Sequence, residues 1–216
     1  MNTDNIIKIA GVITEKPHMI LDANDFDKRV FETKIAATRR SGTEDVLILQ
    51  FSGKAAGGED QLEKLDEGQA IKVTGSICTA NEREIVPTAP SVKIYIEAES
   101  VAIVDEITEP LNEVKICGNI CKDPRIRTTP KGTRVADIMV AVHGKKNANF
   151  IPCICWQDVA DATAENVKKG TYVEIEGRFQ SREYKKKIDG STPFLMTAYE
   201  VSVVQLGAAL EDTNEE

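Results

Sequence analysis

Apolar and polar residues alternate in short runs along most of the chain, and Gly, Pro, Asn and Asp separate the runs. That period of two belongs to half-buried strands, whose successive side chains point to opposite faces. In the second half the pattern predicts strands at Val114–Ile120, Val135–Val142, Phe150–Trp156, Tyr172–Arg182 and Phe194–Val204. "KDPRIRTTPKG" between the first two reads as a loop or bulge, from its prolines and glycine. "QDVADATAENVKKG" reads as one short helix that starts near Gln157 or Asp158 and stops at Gly170. Pro152 lies inside the third strand and has no N–H for a ladder, which predicts an edge position or a bulge there.

The first half repeats this plan. "NIIKIAGVI" resembles "NEVKICGNI", "VFETKIAATRR" resembles "VADIMVAVHGK", "EGQAIKVTGSI" resembles "KGTYVEIEGRF", and "IEAESVAIV" stands beside "TAYEVSVV". The offset stays between roughly 101 and 107 residues, always in the same order. A boundary is expected near Ile107–Leu111, inside the short acidic "EITEPLNE". This gives an acidic domain over 1–107, a second over 112–207 and a short acidic tail over 208–216. Five strands with a helix between the third and fourth is the element order of an OB-fold barrel, so the expected fold is all-β, two tandem five-stranded OB barrels. A generic small β-sandwich gives no reason for a helix at that point in both copies.

Strand parity divides the second copy into faces. Ile151, Cys153 and Cys155 share the inward face of the third strand, and Phe150, Ile154 and Trp156 the outward one. In the fourth strand Val173, Ile175, Gly177 and Phe179 point inward. Glu174, Glu176, Arg178, Gln180, Arg182, Tyr184 and Lys186 point outward. The first copy's fourth strand offers Lys72, Thr74, Ser76, Cys78 and Glu82 instead, with no ring, and Phe51 aligns with Cys155 and is expected in the core.

Charge changes the picture. The net charge is −8, which alone speaks against a polyanionic partner. Residues 1–111, however, hold 12 Lys and Arg against 20 Asp and Glu, whereas 112–207 hold 15 against 11. Single-stranded nucleic acid calls for cations that neutralise phosphates and flat rings that stack on unpaired bases. The second copy's outer surface carries both.

Here a resemblance becomes specific. "VKICGNICKDPRIRTTPKGTRVADIMVAV" and "FIPCICWQDVADATAENVKKGTYVEIEGRFQSREY" make residues 112–206 similar to bacterial single-stranded DNA-binding proteins of the OB-fold type. The resemblance implies a non-enzymatic protein that coats single strands in replication, recombination or repair. It places base stacking on Phe150, Trp156 and Tyr184, and basic contacts on Arg127, Arg134, Lys145, Arg178 and Arg182, joined by Lys146 and Lys186. A further aromatic usual at the end of the second strand is replaced here by Lys145 and Lys146. Weaker contacts in the first copy would fall on Arg39, Arg40 and Lys54. The resemblance also implies a homodimer with four barrels, and a cytoplasmic, nucleoid-associated location. Replication or repair proteins are expected partners, though the ending "GAALEDTNEE" is acidic without the family's Pro-Phe tip. An OB-fold accessory protein that binds protein partners, as in a primosome, and a single-stranded RNA binder remain as alternatives.

Other chemistries find little support. Cys117 and Cys121 are spaced CxxxC and Cys153 and Cys155 CxC, neither of which is the CxxC of zinc knuckles. His18 and His143 sit in no recognisable catalytic context. "GKAAGG" at Gly53–Gly58 lacks the Lys-Ser/Thr of a phosphate loop and reads as a flexible loop before a helix. No metal or other cofactor is expected. No apolar run approaches the ~20 residues of a membrane helix, and the N-terminus lacks a signal-peptide pattern.

Overall fold

The computed structural model describes residues 5–81, 92–144, 147–186 and 193–208. The first copy contains β1 (Asn5–Ile13), β2 (His18–Leu21), β3 (Val30–Thr38), β4 (Glu44–Ser52), α1 (Gly53–Ala56), α2 (Glu59–Leu62), β5 (Ala70–Asn81) and β6 (Val92–Ile103). The second contains β7 (Asn112–Ile120), β8 (Arg125–Thr128), β9 (Arg134–Val142), β10 (Asn149–Trp156), α3 (Asp158–Asn166), β11 (Tyr172–Lys186) and β12 (Phe194–Ala208). Strand order within the first copy is β2-β3-β4-β6-β5-β1, closed by a β1–β3 pairing. Within the second it is β7-β11-β12-β10-β9-β8, closed by β7–β9. Each copy has one parallel contact, β4–β6 and β10–β12, so the two share a topology strand for strand.

Closure has a steric condition that both copies meet with glycine. β7 pairs with β11 along Val114–Asn119 and then with β9 from Gly118 on, so one strand serves two partners and must bend between them. A Cβ on Gly118 would lie 2.2 Å from the Ala141 carbonyl oxygen, and one on Gly177 2.4 Å from that of Ser202. Gly11 and Gly75 hold the matching places in the first copy, at 2.8 Å from Ala36 O and 2.2 Å from Glu97 O. Inside the barrels the inward rows form the core. Val173, Ile175 and Phe179 pack in the second copy, as do Ile35, Leu49 and Phe51 in the first. Phe51 stacks on Phe31 with centroids 5.8 Å apart, as its core alignment with Cys155 implies.

Three readings need correction. The segment read as a loop before the second strand contains β8, an edge strand flanked by Pro124 and Pro130, and β2 is its counterpart. The helix α3 ends at Asn166, four residues before Gly170, which instead adopts φ +91° in the turn leading to β11. "GKAAGG" forms a helical turn, not a flexible loop: Ser52 Oγ accepts the Ala55 N–H at 3.1 Å, and Gly57 closes the turn in the left-handed region. Pro152 does sit where one side of β10 has no ladder partner. The β9 register runs through it without a shift, and the β12 pairing covers Cys153 and Ile154 only.

By packing, the chain groups into two compact units. One joins Val114–Phe179 to the end of β12. The other joins Ile6–Glu113 to Gln180–Tyr199, the far parts of β11 and β12. No helix among the described residues is long and apolar enough to cross a membrane.

Candidate nucleic-acid interface

Register places the first group of candidate residues on one sheet face. Val135 of β9 has Arg127 of β8 on one side and Trp156 of β10 on the other. Two residues on, Asp137 stands between Arg125 and Ile154, then Met139 meets Pro152, and Ala141 meets Phe150. Paired residues share a face, so β8 supplies a cationic margin to a β10 row that begins and ends in a ring. Phe150 is 52% exposed and Trp156 38%. The two rings are six residues apart, about 20 Å along a strand, so they would stack on different bases. Ile154, between them, is buried although its parity is outward.

Two of the cations here, Arg127 and Arg134, already have intramolecular partners. Arg127 donates through Nε and Nη2 to both Asp137 carboxylate oxygens, at 2.7 and 3.0 Å. Those hydrogen bonds hold its pKa above the ordinary arginine value. Arg134 Nη1 lies 2.8 Å from Asp161 Oδ1 at the start of α3. Both pairs are substantially exposed, and such pairs are worth about 1 kcal/mol or less, so a phosphate can compete for either guanidinium. On β11, Glu174 and Glu176 are exposed, with Lys115 Nζ at 2.6 Å from Glu176, and Arg178 is half-buried.

The second group lies in the other unit. Gln180 is buried, which interrupts the outward row that parity predicts. Beyond it Arg182 and Lys186 are exposed, and the Arg182 guanidinium sits 5.8 Å from the centroid of the half-buried Tyr184 ring. Tyr184 donates its hydroxyl to Met196 Sδ at 3.5 Å. In the same unit Arg40 and Lys54 are exposed, whereas Arg39 clamps Asp45 through Nε (2.7 Å) and Nη2 (2.6 Å). Lys145 and Lys146 lie outside the described residues.

The first copy's corresponding face has different chemistry. Phe31 pairs with Phe51 where Ala136 pairs with Cys155, so Ser52 occupies the place of Trp156 and Val46 that of Phe150. Glu32, Gln50, Glu97 and Ser76 form one row across four strands. Glu32 accepts from Gln50 and from Lys93, each at 2.5 Å. Burial works to raise the Glu32 pKa, but these hydrogen bonds outweigh it and leave the carboxyl below its ordinary value. Tyr95, nearby, is pushed up to about 12, first by burial and then by Cys78 and the carboxylates of Glu97 and Glu32.

Sequence reasoning missed Arg125, because the segment was read as a loop and received no parity. Its signal was the spacing of Arg125 and Arg127 in "RIRT". Cys153 and Cys155 are buried as parity predicts; burial raises both thiols, Cys155 to about 11.

Each copy, with its closed sheet and its helical segment between third and fourth main strands, is an OB-fold, a barrel that presents one sheet face and its loops to ligands. Residues 111–206 match the model of the single-strand binding protein family. The chain is 36% identical over 92 residues to the single-stranded DNA-binding protein of Oceanobacillus iheyensis, a match covering 39% of this chain and 56% of the relative. To single-stranded DNA-binding protein A of Bacillus subtilis it is 37% identical over 84 residues, 36% of this chain and 49% of that one. The chain thus spans about half the length of the curated relatives it matches. The whole fold has a solved counterpart. A deletion mutant of the single-stranded DNA binding protein from Thermus aquaticus matches at TM-score 0.72 and 23% identity, over 98% of this chain and 97% of that one. The wild-type Thermus protein matches at the same TM-score and 21% identity, covering 98% of this chain and 96% of its own.

Proposed function

We propose that this chain binds single-stranded DNA without strong sequence preference, in replication, recombination or repair, and catalyses no reaction. One observation carries the reading: Phe150 and Trp156 are exposed on a single OB-fold strand whose sheet face also bears Arg125 and Arg127. Rings accept the π-face of any base and cations accept phosphate whatever the sequence, so such a surface is sequence-tolerant. In the other unit Tyr184 offers a further ring and Arg182 and Lys186 further cations, while Arg134 and Arg178 offer further phosphate contacts in this one. The relatives' names agree with this assignment.

The lone tryptophan reports on it directly. Titration with oligo-dT is expected to quench Trp156 emission, with an affinity that falls as salt rises. Phe150→Ala should weaken binding by ~1–3 kcal/mol, the worth of one stacked base. Unchanged emission together with no salt-dependent retention on immobilised dT would contradict the reading. Preference for matched rU strands in competition would reassign the ligand to RNA.

Two barrels per chain are also the basis for a two-chain assembly with four barrels. Light scattering is expected to return twice the chain mass, and the mass of one chain would refute that assembly.

A further inference from the structure

β11 changes partners partway along its length. Its ladder with β7 ends where Gly177 faces Val114. Four residues later, within the unit that joins Ile6–Glu113 to Gln180–Tyr199, Ser181 is held at three of its polar atoms. Its N–H donates to Asp45 Oδ1 at 2.8 Å, and its Oγ lies 3.4 Å from the same oxygen and accepts the Val46 N–H at 3.2 Å. Its carbonyl oxygen lies 3.5 Å from Arg39 Nη2. The Asp45 side chain is 0% exposed, and Arg39 grips both of its oxygens. A buried carboxylate that accepts from a guanidinium and a backbone N–H has one low-energy arrangement, since loss of either donor leaves charge unsatisfied.

Immediately after this tie come Arg182 and Tyr184, stacked on each other. On the returning strand of the same unit, burial raises the Tyr199 pKa, and the Glu32 carboxylate adds to the rise. In the second copy the register place of Asp45 belongs to Asn149, which cannot form this ion pair.

We propose that Asp45 is a positioning residue for nucleic-acid binding: through Ser181 it fixes the course of β11, so that Arg182 and Tyr184 are presented to the strand in one arrangement. The first copy, acidic and with Ser52 and Val46 in the places of Trp156 and Phe150, thereby serves binding by holding the second copy's contact strand. This rests on the reading that the chain binds single-stranded DNA.

Anisotropy of labelled oligo-dT tests it with wild type, Asp45→Ala and Asp45→Asn, each also in an Arg182→Ala plus Tyr184→Ala background. Asp45→Ala is expected to weaken binding about 10-fold in the wild-type background and less than about 2-fold in the other, a difference of about 1 kcal/mol in coupling. Asp45→Asn retains an acceptor for the Ser181 N–H and should recover most of the loss. Should Asp45→Ala not fold, Ser181→Ala, which deletes only the hydroxyl contacts, should weaken binding about 3-fold in the wild-type background alone. Equal losses in both backgrounds, or no loss in a folded Asp45→Ala, would overturn the proposal. So would full binding by the Arg182→Ala plus Tyr184→Ala protein, with the DNA-binding reading then standing on Trp156. Wild-type protein that does not bind dT at all would defeat that reading itself.

Discussion

Gln157 adopts φ 49° and ψ −120°, the one positive φ outside glycine among the described residues. A β-carbon makes this conformation costly, of order 1–3 kcal/mol. It occurs where the chain turns from Trp156 into α3: the Gln157 N–H donates to Arg134 O, and its carbonyl accepts the Asp161 N–H, both at 2.9 Å. Gln157→Gly should therefore stabilise the protein by about 1 kcal/mol, after the extra chain entropy of glycine is counted. A higher urea midpoint at unchanged m-value is the expected result, and a lower midpoint would show that no strain resides there. Nothing in "WQDVAD" advertised this backbone. At Gln180 and Arg39 the sequence was misleading for another reason. Gln180 looks like a surface residue by type and parity and Arg39 by type, yet Gln180 is buried and Arg39 is bound to a buried carboxylate. Parity assigns a face, but not whether a distant segment covers it.

Among the elements, those with a full alternating face were legible, and those defined by their partners were not. Tyr172–Arg182 was readable because Val173, Ile175 and Phe179 mark one row, and the strand proved longer, reaching Lys186. β8 was missed because four residues between prolines carry too little periodicity, and its strand character comes from pairing with β9. The closing glycines lie between these cases. "EGRF" and "TGSI" align in the repeat, but only the backbone approach explains why both hold glycine. At Gly177 an added methyl meets a carbonyl oxygen of the neighbouring strand, which cannot rotate away as a side chain could. Gly177→Ala is thus expected to cost ~3 kcal/mol, at the upper end of overpacking, read as a drop in urea midpoint. A change below about 0.5 kcal/mol would mean that the barrel relaxes there at little cost.

For the molecule as a whole, two barrels share one topology, and their outer faces differ. Ser52 and Val46 stand where Trp156 and Phe150 stand, and the Glu32–Gln50–Lys93 hydrogen bonds occupy the first copy's sheet face. The offset between copies and the charge asymmetry made this division readable from sequence. The hold of Asp45 on Ser181 was not, since nothing local relates residues 136 positions apart. On the proposed function, one copy supplies most of the binding surface. Labelled oligo-dT anisotropy on Phe150→Ala plus Trp156→Ala, beside Arg40→Ala plus Lys54→Ala, tests it most directly. The first variant should lose at least ~30-fold in affinity and the second less than about 3-fold at the same salt, as expected for two lost stacking platforms against two peripheral charges. Equal losses, or a larger loss in the second variant, would contradict it.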